Sequence, residues 1–316
     1  MSLESDLVAD RLRLKRGLAF WRVVAVLAFV LAVLGVGGLR LHHAAGAHLA
    51  RLKVDGIITD DADRVAMIDS ARKDASVKGL ILSIDSPGGS VAGGENLHDA
   101  IARFAAGKPV VTVMGGTAAS AGYMIAVPSA RIFASNATLT GSIGVLLQSP
   151  DVSGLLDKVG LGVDELVSGP LKGQPSVVKP LSPEGRVMLQ GVVMDLYDQF
   201  VGMVASGRHM DAARVRALAD GRPYTGHQAI GLGLIDQIGT EQDARDWLAA
   251  NRHLAGDLPV RPLEPQDKAP WWRRQMRASA GGLLLSALDV LVSSPAAKTF
   301  AAQGLVLDGP VALWQP

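Results

Sequence analysis

The chain has no cysteine among its 316 residues. That absence excludes disulfide bonds, cysteine-ligated zinc and a cysteine nucleophile. Charge is scarce and balanced, since charged residues make up 19% of the sequence and the formal net charge is +1. The middle of the chain has no basic run with interleaved aromatics, so a nucleic-acid-binding face is not expected. Hydrophobic residues make up 48%, which provides for a sizeable core and argues against a largely disordered chain.

One long apolar run lies near the N-terminus. Residues 23–39 contain no charged residue and no proline, and their length falls at the lower end of the roughly 17–25 residues that span a bilayer. Basic residues are frequent before this run, whereas Arg40 alone follows it until Arg51. Because basic residues stay on the cytoplasmic side, the pattern predicts a cytoplasmic N-terminus (1–22), a single transmembrane anchor (23–39) and an extracytoplasmic remainder.

Two other interpretations of the apolar run stay open. A cleaved signal peptide is one, because small residues follow at Ala44–Ala47, although the basic segment and the apolar run are both long for such a peptide. A buried core helix is the other, and the lopsided flanking charge disfavours it. An uncleaved anchor is therefore the favoured interpretation.

After a linker at 40–49, apolar runs typical of buried strands alternate with helical patterns through residues 50–251. The predicted strands are Leu52–Thr59, Gly79–Asp85, Pro109–Met114, Arg131–Ala134 and Gly162–Val167. The predicted helices are Ala62–Lys73, Ala92–Phe104, one from about Ser120, Leu155–Val159, Ser182–Ser206, Asp211–Ala219 and one ending near Asn251. The alternation predicts an α/β sheet with right-handed crossovers. Because such sheets hold ligands beyond the carboxyl ends of their strands, the loops Asp85–Ser90 and Gly115–Ser120 are expected to meet at one site.

The composition changes in the last part of the chain. Prolines punctuate a linker from Leu258, so residues 252–316 are predicted to form a C-terminal extension. Within it, the apolar stretch Ala280–Val292 follows tryptophans and arginines. An amphipathic helix at a membrane surface and a helix docked on the catalytic domain or on a neighbour are both open interpretations.

Ser120 is the candidate nucleophile. It follows a glycine-containing turn within M-G-G-T-A-A-S-A-G-Y-M-I-A (Met114–Ala126) and is expected to open a helix, where free N–H groups and partial positive charge favour an anion. The N–H of Ala121 would face an oxyanion formed after attack by the serine. Gly88 and Gly89 permit a second N–H to point into the same cleft, with Gly89 as the expected donor. The alternative role for Ser120 is that of an ordinary helix cap.

Lys172 is the candidate general base. Its segment S-G-P-L-K-G-Q-P-S (Ser168–Ser176) contains no acid, which suits a lysine that must lose its charge near pH 7 through burial away from water and anions. The nearby Lys179 is the alternative lysine. Histidine is the other type of base, but neither His98 nor His209 stands in a local motif, so a Ser-His-Asp triad is disfavoured.

Five motifs follow one another in order between Leu52 and Asn251. They are D-S-P-G-G at Asp85–Gly89, A-A-S-x-G-Y at Ala118–Tyr123, T-G-S-I-G-V at Thr140–Val145, S-G-x-x-K at Ser168–Lys172, and G-R-x-Y-T-G with A-x-x-x-G-L-I-D-x-I-G from Gly221 to Gly239. Each motif is weak alone, and the ordered set is specific. With these motifs the chain resembles the signal peptide peptidase A family, also called protease IV, whose members are serine peptidases of family S49.

The resemblance implies a ClpP/crotonase-like α/β fold in which Ser120 is the nucleophile and Lys172 the base of a Ser-Lys dyad. It also implies oxyanion donors from the backbone of Gly89 and Ala121. Ser142 either orients the lysine or the serine, or is a packed turn residue. Ala121 stands where the family often has glycine. Nothing in the sequence indicates a metal or a cofactor.

The resemblance further implies a single-pass serine endopeptidase of the bacterial inner membrane with its catalytic domain in the periplasm. Its expected substrates are signal peptides or other short hydrophobic peptides. One copy of each motif is similar to the short form of the family, which assembles as a homo-oligomeric ring, with an octamer as the suggested size. The dyad forms within or between protomers. The rival functions are a crotonase-type acyl-CoA enzyme and a non-catalytic membrane scaffold of the same fold.

Overall fold

The structure, a computed structural model, describes residues 21–22, 24–27 and 46–263. The chain divides into two units between His48 and Leu49, and the described residues before that point include a helical stretch. No helix among the described residues is long and apolar enough to cross a membrane. Most of the predicted anchor (23–39) and the predicted extension beyond residue 263 lie outside the described residues.

Residues 46–263 form strands and helices in alternation. The strands are β1 (His48–Ile58), β2 (Val77–Gly89), β3 (Val110–Ala119), β4 (Arg131–Ala134), β5 (Leu139–Gly141), β6 (Pro223–Thr225), β7 (Gln237–Ile238) and β8 (Val260–Pro262). The helices are α1 (Ala62–Lys73), α2 (Val91–Ala105), α3 (Ala121–Ala126), α4 (Ser153–Lys158), α5 (Pro183–Arg208), α6 (Ala212–Leu218), α7 (Gly226–Leu232) and α8 (Glu241–Arg252). The predicted mixed α/β class is confirmed.

The strands form one sheet in the order β6-β5-β3-β2-β1-β8, with β4 between β3 and β7 off this path. The pairs β1–β8, β2–β3, β3–β4, β3–β5 and β4–β7 are parallel, and the pair β5–β6 is antiparallel. Strand β3 pairs with β4 along Val111–Val113 and with β5 along Thr117–Ala119, so the sheet forks at β3. The fork places the end of β3 between β5 and the end of β2. The candidate nucleophile, Ser120, directly follows β3 at this edge of the sheet.

Burial explains why these segments are strands and helices. Leu80–Leu82 and Ile84 in β2 are wholly buried because helices cover the sheet. In α2, the buried residues Leu97, Ile101 and Phe104 recur at helical spacing and face the core. Burying each such side chain contributes about 1.5–3 kcal/mol, so this face is what attaches the helix to the sheet.

Helix caps fix where α1 and α2 begin. Asp61 accepts the N–H of Arg64 (2.9 Å), and Ser90 accepts the N–H of Gly93 (3.1 Å). A side-chain oxygen at this position satisfies a backbone donor that the helix itself leaves free. The caps therefore fix the residue at which each helix begins after the preceding strand.

The structure departs from the sequence-based expectations at three places. Gly162–Val167 is an exposed irregular segment and not a strand, because no strand among residues 46–263 pairs with it. Helix α7, which a capping box between Thr225 and Gln228 begins, is absent from the predicted helices. The sheet also extends past both expected limits of the domain 50–251, because β1 begins at His48 and β8 ends at Pro262.

One part of the subunit stands apart from the core. We call residues 146–199 the arm; among them only Ser176 and Gly185 are buried. Helix α4 has no buried residue, and α5 reaches the core only through its C-terminal part. The arm exposes large apolar side chains that a folded monomer normally buries. The most exposed include Leu146, Leu155, Leu161, Leu166, Val177 and Val187.

Candidate active site

Ser120 stands at the junction of β3 and α3 in a strained conformation. Its φ is 53° and its ψ −121°, a region that residues other than glycine rarely adopt and that costs about 1–3 kcal/mol. Its N–H donates to the carbonyl of Gly141 (2.9 Å). The expected helix does start here, but the hydroxyl makes no capping hydrogen bond, so ordinary capping does not account for the serine.

The D-S-P-G-G turn lies against this serine, as the sequence predicts. Strands β2 and β3 are neighbours, and Ser86 is in register with Ala118. Gly88 has a φ of 118°, and a Cβ there would lie 2.8 Å from Ser120 Cβ. Only glycine fits this contact. The buried Ser86 hydroxyl accepts the N–H of Gly88 (3.1 Å), which fixes the turn.

The contact between the two turns also brings together the two expected oxyanion donors, the backbone N–H groups of Ala121 and Gly89. Ala121 is the buried first residue of α3, where a helix leaves its N–H groups without intrahelical partners. Gly89 is the exposed last residue of β2. A Cβ at Gly89 would lie 1.9 Å from the carbonyl oxygen of Ile58, so this residue is also held where no side chain fits. The two expected donors therefore lie in neighbouring turns at one edge of the sheet.

The hydroxyl of Ser142 forms a hydrogen bond to the backbone. Its φ is 49°, its N–H donates to the carbonyl of Arg222 (3.1 Å), and its hydroxyl donates to the carbonyl of Gly221 (3.1 Å). The preceding Gly141, with a φ of 74°, supplies the carbonyl that accepts the N–H of Ser120. The loop Gly221–Arg222 thus holds the residues beside Ser120, a role that its position far along the chain hides from sequence analysis.

Lys172 lies on the arm in a hydrogen-bonded turn, where its N–H donates to the carbonyl of Gly169 (3.1 Å). The residue is exposed, and among the described residues its ammonium has no ion-pair partner. The expected burial of Lys172 is therefore wrong for a single subunit. The surroundings are also not free of acid, because a Cβ at Gly173 would lie 3.1 Å from Glu165 Oε2. The motif Ser168–Ser176 does not indicate this carboxylate, because Glu165 precedes it in the sequence.

The alternative bases have other contacts. Lys179 pairs with Glu165 at 3.2 Å. His98 contacts the carboxylate of its neighbour Asp99 (2.9 Å) on the surface of α2. His209 ends α5 in a left-handed conformation. In the described part of the chain neither histidine hydrogen-bonds to Ser120, so the structure gives no support to a histidine base.

A polar cluster supports α3 from the side opposite the sheet edge. The hydroxyl of the buried Tyr123 donates to the carbonyl of Leu234 (2.8 Å), and burial raises the pKa of Tyr123 far above its ordinary value. Asp236 pairs with Arg208 (2.6 Å) and accepts the N–H of Ile132 (2.8 Å). The G-L-I-D part of the last motif therefore has a structural role behind the nucleophile helix. No group of three or more potential metal ligands occurs within the residues that the structure describes.

A strained serine that opens a buried helix, at the carboxyl edge of a largely parallel α/β sheet, is an arrangement typical of serine hydrolases. The family model of peptidase family S49 matches residues 102–255, and a Clp protease model matches residues 58–140. The chain belongs to peptidase family S49 and is a serine peptidase, which confirms the family expected from its motifs.

Three relatives show the extent of the similarity. "Putative protease slr0021" of Synechocystis sp. is 39% identical over 210 residues, which cover 66% of this chain and 74% of that protein. "Putative signal peptide peptidase SppA" of Enterococcus faecium is 37% identical over 225 residues, covering 67% of this chain and 65% of the relative. "Protease 4" of Salmonella typhi is 37% identical over 209 residues, covering 66% of this chain and 34% of the relative.

Proposed function

We propose that this chain is a membrane-anchored serine endopeptidase that uses Ser120 as nucleophile and Lys172 as general base. The observation that carries the proposal is the conformation of Ser120. Its backbone is held at positive φ by contacts from two other segments, while its hydroxyl has no capping role. Strain of this kind persists where the surroundings enforce it, and it occurs most often at active sites.

The proposed reaction is acyl transfer through a covalent intermediate. Neutral Lys172 takes the proton of the Ser120 hydroxyl, whose oxygen attacks the peptide carbonyl carbon. The N–H groups of Gly89 and Ala121 stabilise the oxyanion. The lysine ammonium then gives its proton to the leaving amine as the C–N bond breaks. A water molecule, deprotonated by the same lysine, hydrolyses the ester and restores the serine.

The exposure of Lys172 leads us to place the dyad between subunits. A lysine acts as a general base in a site shielded from water, so Lys172 requires a second surface. The apolar side chains on the arm favour such a contact, because their burial against another copy would exclude water from the same region. A homo-oligomeric ring, for which the resemblance suggests eight subunits, would supply that copy.

The proposed substrates are signal peptides or other short hydrophobic peptides. A relative that bears the name signal peptide peptidase supports this substrate class. The anchor expected at residues 23–39 would hold the enzyme in the bacterial inner membrane with its N-terminus in the cytoplasm and its catalytic domain in the periplasm. Hydrophobic peptides left in the bilayer would then lie close to the site.

Hydrolysis of a hydrophobic peptide ester by the full chain in detergent tests the proposal. Ser120→Ala and Lys172→Ala should each lower turnover by roughly 10³-fold or more. Lys179→Ala is the matched control and should keep wild-type turnover. Turnover of an acyl-CoA thioester with no turnover of the peptide ester would favour the crotonase-type alternative. Absence of both activities in a folded protein would favour the scaffold.

A further inference from the structure

The first turn of α2 lies next to both expected oxyanion donors. Gly89 immediately precedes Ser90, the residue that caps α2, and Gly94 follows one turn later. The N–H of Ser90 donates to the carbonyl of Ile58 (2.9 Å). The Ser90 hydroxyl and carbonyl accept the N–H groups of Gly93 (3.1 Å) and Gly94 (3.0 Å), respectively. This turn is therefore fixed both to itself and to the end of β1.

Gly94 is where α2 contacts the nucleophile helix. It is buried, and a Cβ there would lie 2.9 Å from Ala121 Cβ and 3.0 Å from Met124 Sδ. Real Cβ atoms essentially never come closer than about 3.0 Å to another heavy atom, so a side chain at this position must displace a neighbour. The thioether of Met124 belongs to a flexible side chain that can move. The methyl group of Ala121 is bonded directly to the backbone of α3, so its displacement moves the N–H of Ala121.

A second side of the same turn is in close contact with the end of β1, which limits how far α2 can move. A Cβ at Gly93 would lie 2.5 Å from the carbonyl carbon of Thr59, and one at Gly89 would lie 1.9 Å from the carbonyl oxygen of Ile58. The backbone of α2 is thus held between the end of β1 and the start of α3. A methyl group at residue 94 is expected to shift α3 rather than α2.

We propose that Gly94 is a positioning residue for the oxyanion hole, acting through Ala121. The absence of a side chain at residue 94 sets the distance between the start of α2, which carries Gly89, and the start of α3, which carries Ala121. It also accounts for the alanine at residue 121: a methyl group fits there because residue 94 has none. The inference rests on the proposed function, since it assigns a role to the donors of that reaction.

The test compares Gly94→Ala, Ala121→Gly and the double variant on the hydrophobic peptide ester. Gly94→Ala should lower kcat by roughly ten- to a hundred-fold with KM within about two-fold of wild type, because a displaced donor weakens transition-state binding alone. In the double variant the missing methyl group at residue 121 makes room for the new one at residue 94. Its kcat should return to within about three-fold of the Ala121→Gly value.

Gly93→Ala is the matched control, because its new methyl group meets Thr59 and not Ala121. Adding Ala121→Gly should not restore the activity that Gly93→Ala loses. If Gly94→Ala fails to fold by circular dichroism, a folded and active double variant supports the same conclusion.

Wild-type kcat in Gly94→Ala would overturn the positioning role. So would a double variant that is as impaired as Gly94→Ala or that fails to fold. Wild type and Ser120→Ala measured in the same assay separate this outcome from a failure of the proposed function, in which Ser120→Ala would turn over like wild type.

Discussion

At the scale of single residues, the site depends on backbone conformations that side chains rarely adopt. Ser120 and Ser142 both have positive φ, at 53° and 49°. The motifs predicted that the turn at Asp85–Gly89 and Ser120 would lie together, because glycine and serine are typical of such turns. They could not predict the strain, because distant residues impose it: Gly88 packs against Ser120, and the loop Gly221–Arg222 holds Ser142.

Gly88→Ala tests the contact that holds the nucleophile. The new Cβ would lie 2.8 Å from Ser120 Cβ, at a backbone φ of 118° that disfavours alanine. We expect a loss of peptide ester hydrolysis and a decrease of about 2 kcal/mol or more in the free energy of unfolding, measured in urea. Gly107→Ala is the control, because a Cβ there meets nothing within 4 Å. Similar unfolding curves for the two variants would contradict the expectation.

Tyr123→Phe tests the buried hydroxyl through pH. Burial raises the pKa of Tyr123 in the folded protein, whereas an unfolded tyrosine ionises near pH 10. Its contribution to stability is therefore complete below about pH 10 and is lost above it, by up to about 1.4 kcal/mol per pH unit. We expect the free energy of unfolding of wild type to fall more steeply than that of Tyr123→Phe between pH 10 and 11.

At pH 7 wild type should be the more stable of the two proteins. Tyr123→Phe should be about 1 kcal/mol less stable than wild type, because the carbonyl of Leu234 loses its donor. Urea unfolding at a series of pH values measures both effects. Parallel pH profiles for the two proteins would show that Tyr123 does not titrate as a buried group.

At the scale of elements, strands and helices were predictable where burial is two-sided or periodic. Gly79–Asp85 lies within β2, and all of Pro109–Met114 except Pro109 lies within β3, because strands covered on both faces are apolar throughout. Gly162–Val167 also contains apolar residues, but Asp164 and Glu165 interrupt them, and the segment pairs with no strand among the described residues. Strand β8 was missed because its pairing with β1 is long-range and its own three residues carry no strand pattern.

Two glycines of α5 should respond oppositely to alanine. A Cβ at Gly207 would lie 2.2 Å from Val127 Cγ1 and 2.8 Å from its carbonyl oxygen, whereas a Cβ at Gly202 meets nothing within 4 Å. Gly207→Ala should lower the free energy of unfolding by about 2 kcal/mol or more, because the helix must move away from α3. Gly202→Ala should raise it by up to about 1 kcal/mol through helix propensity. Chemical denaturation of both variants measures the difference, and effects of equal sign would contradict this packing.

At the scale of the whole molecule, the proposed contact between copies through the arm accounts for the exposure of Lys172, the proposed base. A charged substitution at Leu166, whose side chain is fully exposed, should leave the fold of the subunit intact. If the arm forms the contact between copies, Leu166→Asp should dissociate the oligomer in sedimentation velocity experiments and abolish hydrolysis together with it. Ile230→Asp is the control, because this exposed apolar residue lies on α7, outside the arm. An intact, active Leu166→Asp oligomer would contradict the role of the arm.

Labelling by a fluorophosphonate, with the modified residue located by peptide mass spectrometry, tests the central claim most directly. A serine whose proton is removed by an uncharged lysine attacks phosphorus, so wild type should carry one adduct, on Ser120. Lys172→Ala should lose the adduct, and Lys179→Ala should keep it. An adduct on another serine, or labelling of Lys172→Ala at the wild-type rate, would contradict the dyad.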